Sequence, residues 1–369
     1  MPPTEPTHLR VAMTVEQLWQ PFPGGSGTYV RSLATSLAGT DDVDVVGVAA
    51  RHTTPPPSGD LPIPVRTSWL PRRVLYDAWH TTRRPRSSVP RDADVVHATT
   101  WAIPPRTAPL VVTVHDLAFL RAPEHFTPRG NRFFRRALEI VGAEADVVLT
   151  PSELTALDCV DHGIERARLR VVPLAADVLD VPTTTLAEFQ RAHGLSERPY
   201  VLWCGTVEPR KNLPTLLRAF GDVAARSDLD LVLVGPVGWG SVDLEAPAAV
   251  LGDRLKVLGR LSHADLHAAY AGARAFAFPS TWEGFGLPVL EAMGHGVPVV
   301  TSRGTSMAEF AADSALLVDP LDSDALAEAL LDASGPQHDD LAVRGLAVAE
   351  RHTWARTAEQ TVAAYRAVR

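Results

Sequence analysis

Residues 280–291 read Ser280-Thr281-Trp282-Glu283-Gly284-Phe285-Gly286-Leu287-Pro288-Val289-Leu290-Glu291. The apolar run Ala275-Phe276-Ala277-Phe278 just before them reads as a buried strand, and Pro279 to Gly286 as the loop that leaves it. Pro288 suits the first turn of a helix, where its missing N–H would have had no partner anyway, and Val289, Leu290, Ala292 and Met293 continue that helix. Glu283 then sits on the loop and Glu291 in the first helical turn, with the backbone N–H groups of Phe285 to Leu287 between them. Such N–H groups, at the positive end of a helix, attract a phosphate. Two carboxylates beside an anion site would repel the anion unless their task is to accept hydrogen bonds from hydroxyls, and sugars and riboses supply those.

Working outward, strand-like runs alternate with helix-like ones. In the first part they are Leu9 to Thr14, Val43 to Ala49, Asp94 to Ala98, Leu110 to Val114, Val147 to Thr150 and Leu169 to Val172, with helical stretches such as Tyr29 to Leu37 and Asn131 to Val141 between them. A second alternation begins at Tyr200, with strands Val201 to Cys204, Leu229 to Val234, Leu255 to Leu258, Ala275 to Pro279, Val297 to Thr301 and Ala315 to Val318. The pattern implies an α/β fold of two Rossmann-like, doubly wound domains with a cleft between them. The expected organisation is a first domain over 1–173, a linker over 174–198 with a short amphipathic helix, a second domain over 199–350 and a closing helix over 351–369.

A chain of 369 residues suits two domains. Its net charge of −8 gives no nucleic-acid signature, and two cysteines, Cys159 and Cys204, make neither a disulfide framework nor a metal cage. A reducing cytoplasm fits that usage, and neither a signal-peptide pattern nor a membrane-spanning apolar run is read in the sequence. Residues 66–136 hold 13 arginines against five acids. Leu75, Ala78 and Trp79 share a helical face near Arg72, Arg73, Arg83 and Arg84, which an anionic acceptor, peripheral contact with an anionic membrane, or merely a solvated face would explain.

Further constellations bear on chemistry. Gly205-Thr206-Val207-Glu208-Pro209-Arg210-Lys211-Asn212 follows a strand and precedes a helix for which Asn212 is the expected N-cap, so Arg210 and Lys211 lie where ligands bind in open α/β sheets. Two cations there suit a departing diphosphate. The run Pro23 to Tyr29 places Gly25 in a glycine loop able to approach a phosphate or sugar. Val30 stands where a dinucleotide fingerprint would need its third glycine, and no acidic residue ends the second strand, which argues against a nicotinamide enzyme. His115 ends one strand and is a candidate for the reaction centre; His97 ends another and is a candidate acceptor-side group. Four Asp-x-Asp strings, Asp42/Asp44, Asp92/Asp94, Asp228/Asp230 and Asp322/Asp324, precede strands or open a helix and read as punctuation rather than metal ligands.

The string from Glu283 to Glu291, followed by Ala292-Met293-x-x-Gly296-x-Pro298-Val299-Val300, resembles the retaining family-4 glycosyltransferases of the two-domain GT-B fold, whose E-x₇-E element it matches. The resemblance implies transfer of a hexose from a nucleoside-diphosphate sugar to a glycan or lipid-linked acceptor, without a metal or other cofactor. It implies that Glu283 meets the donor sugar, Glu291 the ribose, and the backbone of Gly284, Phe285, Gly286 and Leu287 the diphosphate, with Gly25, Gly205, Arg210 and Lys211 also on the donor. It further implies that His115 contacts the donor sugar and that the closing helix returns to the first domain. The other glycosyltransferase fold type uses a metal-bound Asp pair on the ligand side, which these Asp-x-Asp strings do not match. Likeness to bacterial mannosyltransferases favours GDP-mannose. The alternatives are a UDP-sugar glucosyl or N-acetylglucosaminyl transferase, a UDP-sugar 2-epimerase of the same fold, and a non-catalytic partner subunit.

Overall fold

The computed structural model describes residues 8–369 except Phe22, Ser58 and 239–242. It divides into two compact units, one running to Leu174 and including Trp354–Arg369, the other Ala175–Thr353.

The first unit holds strands β1 (Leu9–Thr14), β2 (Val43–Ala49), β3 (Val65–Thr67), β4 (Val95–Ala98), β5 (Leu110–Thr113), β6 (Val147–Thr150) and β7 (Leu169–Val171) in the order β3-β2-β1-β4-β5-β6-β7. All neighbours are parallel. Each residue of β4, β5 and β6 is buried, which is why these strands read as largely apolar runs rather than alternating ones. β3 was not anticipated: its three residues are all exposed at the sheet edge, so no apolar run marks it. The helix Trp354–Val368 belongs to this unit and packs against the helix Gly24–Ala38. Thr357 donates to the Pro173 carbonyl at 2.8 Å, and Tyr365 is buried beneath the sheet residue His97.

The second unit holds β8 (Tyr200–Cys204), β9 (Asp230–Val234), β10 (Leu255–Gly259), β11 (Ala275–Phe278), β12 (Val299–Ser302) and β13 (Leu316–Val318) in the order β10-β9-β8-β11-β12-β13, again parallel. From β8 the chain first builds toward β9 and β10, then returns to lay β11 on the other side. That reversal makes the carboxyl ends of β8 and β11 the switch point, where the loops diverge and leave a crevice. Most of the segment expected as a linker, residues 174–198, is built into this unit: its helix Thr183–Ala192 buries Phe189, and Leu186 and Gln190 lie against Gly272.

Asp-x-Asp residues are engaged at the amino-terminal edges of strands or at a helix start. Asp94 accepts from the Arg10 N–H at 2.9 Å, Asp230 pairs with Arg254 at 3.1 Å, and Asp322 caps the helix Ser323–Ser334 through the Ala325 N–H at 2.9 Å. Among the described residues no group of three His, Cys, Asp or Glu is arranged to hold a metal ion, and no helix is long and apolar enough to cross a membrane.

Candidate functional site

Two loops meet at the β8/β11 switch point. The first runs from Gly205 through the short 3₁₀ turn Pro209–Lys211 to Asn212, where the helix Leu213–Arg226 begins. Asn212 occupies the cap position, but its side chain makes no cap bond. Its backbone is left-handed (φ 54°), and its Oδ1 accepts from the Thr215 hydroxyl at 2.9 Å instead of from a backbone N–H. Its Nδ2 donates to the carbonyls of Pro279 (3.1 Å) and Pro320 (2.5 Å), so Asn212 fastens this loop to the one after β11. The Thr281 N–H donates to the Arg210 carbonyl at 2.8 Å, and Arg210 Nη1 donates to the Trp282 carbonyl at 3.1 Å.

This stapling brings together residues 72 or more positions apart. Arg210 Nη1 lies 2.6 Å from Glu283 Oε2, Lys211 Nζ lies 2.6 Å from Glu283 Oε1, and Arg210 Nε lies 2.7 Å from Glu208 Oε1. Lys211 Nζ also stands 4.5 Å from the centre of the Phe278 ring. Burial alone would raise the Glu283 carboxyl, but Arg210 and Lys211 outweigh it and hold it at about 2. Burial pulls the Lys211 ammonium below its usual range, and Arg210 adds to this while Glu283 opposes it. The cluster therefore holds two cations against two carboxylates, Glu208 and Glu283, where the sequence suggested a bare cation pair. Nothing local in the chain shows that Glu283 folds back onto it.

The helix Leu287–Gly294 starts at Gly286, which has φ +105°. A Cβ there would lie 2.4 Å from Met307 Cγ, so both the backbone and the packing require glycine. Ser306 Oγ donates to the Glu283 carbonyl at 2.8 Å and holds the turn from below. Phe285 stacks on Phe310 with ring centres 4.9 Å apart, so only its backbone is left to meet a ligand. Gly284 and Leu287 are buried in the same turn. Because Leu287 is the first helical residue, Glu291 stands in the second turn rather than the first. The Tyr270 hydroxyl donates to Glu291 Oε2 at 2.9 Å. Burial raises Glu291 to about 7, against the Tyr270 hydrogen bond and with a further push from Asp177. Cys204, which ends β8, is pushed up to about 12 by burial and by Glu291. Gly205 follows it, and its carbonyl oxygen would lie 1.8 Å from a Cβ on Gly235, so these two turns touch backbone to backbone.

One surface of the second unit thus gathers Gly205, Arg210, Lys211, Glu283, Gly284, Phe285, Gly286, Leu287 and Glu291. Glu208, Tyr270, Ser306 and Met307 belong to the same construction and were not singled out from sequence. Glu208 could have been, as the acid two residues before an Arg-Lys pair; the others carry no local signal.

Gly25 and His115 lie in the first unit. Gly25 is exposed in the first turn of the helix Gly24–Ala38, which starts earlier than the expected loop allowed because the chain turns at Pro23 and Gly24. His115 is half-buried, two residues past β5, with Nε2 at 3.0 Å from the Thr99 carbonyl and its ring edge-on to Tyr29 at 4.8 Å. A carbonyl only accepts, so Nε2 carries the proton and Nδ1 is the acceptor of a neutral ring. Burial lowers its pKa and keeps it neutral, with Thr99 and Asp116 opposing. His97 is not an acceptor-side group. It is fully buried, and both nitrogens are taken, Nδ1 by the Tyr365 hydroxyl at 2.6 Å and Nε2 by Thr113 Oγ1 at 2.8 Å. Strand-end position did not reveal that the closing helix covers it.

Residues 198–334 match the family described as Glycosyl transferases group 1, and residues 23–178 match Glycosyltransferase Family 4. O-antigen chain mannosyltransferase B of Escherichia coli is 31% identical over 282 residues, covering 74% of this chain and 74% of that one. This chain belongs to the family-4 glycosyltransferases of the GT-B fold. The glycosyltransferase is also 30% identical over 383 residues to D-inositol 3-phosphate glycosyltransferase of Acidothermus cellulolyticus, across 93% of this chain and 85% of that one. The crystal structure of Anabaena HepE in complex with UDP and glucose superposes with a TM-score of 0.73 at 18% identity, over 98% of this chain and 100% of that one, which shows the shared fold of two Rossmann-like domains.

Proposed function

We propose that this glycosyltransferase moves a hexose from a nucleoside-diphosphate sugar to a hydroxyl of a glycan or lipid-linked acceptor, with retention at the anomeric carbon. The buried Arg210–Glu283–Lys211 cluster beside the first turn of the helix Leu287–Gly294 carries the proposal. Because Glu208 and Glu283 fix the two cations before any donor arrives, charge growing on the leaving diphosphate meets donors that need no rearrangement. The first-turn N–H groups add to them. Each Glu283 oxygen, having accepted one cation, retains capacity for a sugar hydroxyl, and Glu291 is assigned to the ribose. The acceptor oxygen attacks the anomeric carbon on the face from which the diphosphate leaves. The carbon–phosphate-oxygen bond breaks, and the hydroxyl proton passes to a diphosphate oxygen, so no protein nucleophile is required. His115 and Gly25 are assigned to the donor by family resemblance.

GDP-mannose is the proposed donor, supported by the E. coli relative named for mannosyl transfer. The reaction is proposed to need no metal, since Arg210, Lys211 and the helix N-terminus supply the positive charge. A cytoplasmic site is proposed, with peripheral contact to an anionic membrane supported by exposed Trp69 (70%) and Val74 (51%) in the arginine-rich stretch 66–136. The test is a donor panel of GDP-mannose, UDP-glucose and UDP-N-acetylglucosamine, assayed for transfer and slow hydrolysis in excess EDTA. GDP-mannose turnover that survives EDTA is expected. Preference for a UDP-sugar overturns the donor assignment, and activity restored only by Mg²⁺ or Mn²⁺ overturns the metal-free one.

A further inference from the structure

In the first unit a cavity of 580 Å³ lies between the helices Arg72–Thr81 and Pro128–Glu144. Residues at the starts of both helices line it. Three guanidiniums line it, those of Arg72, Arg73 and Arg129, against one carboxylate, Asp77. Arg129 pairs with Asp77 at 2.6 Å. Arg72 is held only by the neutral Gln20 side chain, Nη1 to Oε1 at 2.8 Å, and Arg73 has no ion pair among the described residues. Glu16, whose charge Tyr76 also feels, is buried and taken by the Ala50 N–H and by His52. The lining therefore carries two guanidiniums that no lining carboxylate neutralises. Two rings also line it, beside Gln20, Thr127 and Gly130: Tyr76 and Phe133 stack with centres 5.9 Å apart and 22° between planes, and Phe133 rests on His80 at 4.2 Å.

Two forked cations beside ring edges match a phosphate esterified to a pyranose whose C–H face meets the rings. We infer that this cavity binds a glycosyl phosphate, with Arg72 and Arg73 on the phosphoryl oxygens and the rings of Tyr76 and Phe133 against the sugar. Its use as the acceptor rests on the transferase reading above; the binding does not. The phosphoryl group is supplied either by a free sugar phosphate or by a lipid-diphosphate-linked sugar.

The test is calorimetry on the full chain with mannose 1-phosphate, mannose and inorganic phosphate. Mannose 1-phosphate is expected to bind at least about tenfold more tightly than either fragment. Arg73→Ala and Arg72→Gln should each weaken it about tenfold, the loss of one charge-assisted contact, while Lys211→Ala leaves it unchanged. Arg73 is exposed and has no ion pair to lose, so its variant keeps the fold, which matched melting temperatures verify. Affinity unchanged in both arginine variants, or no preference for the phosphosugar, overturns the inference. Loss in Lys211→Ala alone also overturns it, by placing the phosphate at the donor residues while leaving the donor reading intact. Failure of the donor reading shows differently, as GDP binding indifferent to Lys211→Ala while the Arg73 dependence persists. Neutral phosphatidylcholine vesicles bearing a lipid-diphosphate-linked mannose separate the two sources. Equally strong Arg73-dependent binding to sugar-free phosphatidylglycerol vesicles would mean simple membrane attraction and contradict the cavity.

Discussion

Replacing Glu283 by Gln removes one negative charge from between Arg210 and Lys211 without changing the side chain's size. In the native protein the carboxyl is displaced from an ordinary 4.5 to about 2, although it is buried. A displacement of that size corresponds to about 3 kcal/mol of stability, at ~1.4 kcal/mol per unit. Breaking a buried pair by removing one partner costs about 3–5 kcal/mol. The lower end applies because Glu208 still holds Arg210 and Gln keeps one acceptor oxygen. A lowered carboxylate pKa stabilises fully above the unfolded value and is lost as pH falls toward the folded one. The wild-type advantage over Glu283→Gln should therefore be full at pH ~7, begin to shrink below pH ~4.5, and be less than half of its full size by pH ~3. Urea unfolding of both proteins at these three pH values reads the difference directly. The more positive variant should bind GDP no more weakly than wild type while its sugar transfer falls. A stability difference constant with pH, or weaker GDP binding in the variant, would refute the coupling of Glu283 to the two cations.

Glu291→Gln should act in the opposite sense on stability and separately on ligand. The raised Glu291 pKa means that wild-type stability declines as pH rises from the ordinary carboxylate range through about 7, and the variant should lack that decline. Its affinity for GDP should fall by about 1–3 kcal/mol as a charged acceptor to the ribose is lost, measured calorimetrically at pH ~8. Gly286→Ala should unfold at lower denaturant concentration and lose transfer, because an added Cβ meets both a φ of +105° and Met307 at 2.4 Å. About 2 kcal/mol or more is expected, and a neutral result would contradict the packing described.

Much of this was legible because it is local. The Glu283 to Glu291 string carries its own strand, turn and helix signals, and Arg210 and Lys211 follow the apolar strand Tyr200–Cys204, whose end Gly205 marks. What the chain could not announce was pairing at a distance. Tyr270 and Ser306 are single polar residues whose importance comes from the loops that reach them, and Glu283 neutralises the cation pair only once those loops close, whereas Glu208 lies two residues from its partner Arg210. His97 looked like a site residue because strand ends at a switch point often are, yet a helix some 268 residues later seals it with Tyr365. β3 escaped because an exposed three-residue edge strand has no apolar face to betray it. The run Gly24 to Gly27 reads as a loop because glycine disfavours helix, a local preference that packing of Tyr29, Val30 and Leu33 overrides.

The central claim is that Arg210 and Lys211 receive the leaving diphosphate. The most direct measurement is kcat/KM for hexose transfer together with GDP affinity in Arg210→Ala, on protein whose melting temperature matches wild type. The account predicts a fall in kcat/KM equivalent to about 2–4 kcal/mol, roughly 30- to 1000-fold, with weaker GDP binding. A variant that keeps near-wild-type kcat/KM and GDP affinity would place the diphosphate elsewhere and contradict the account.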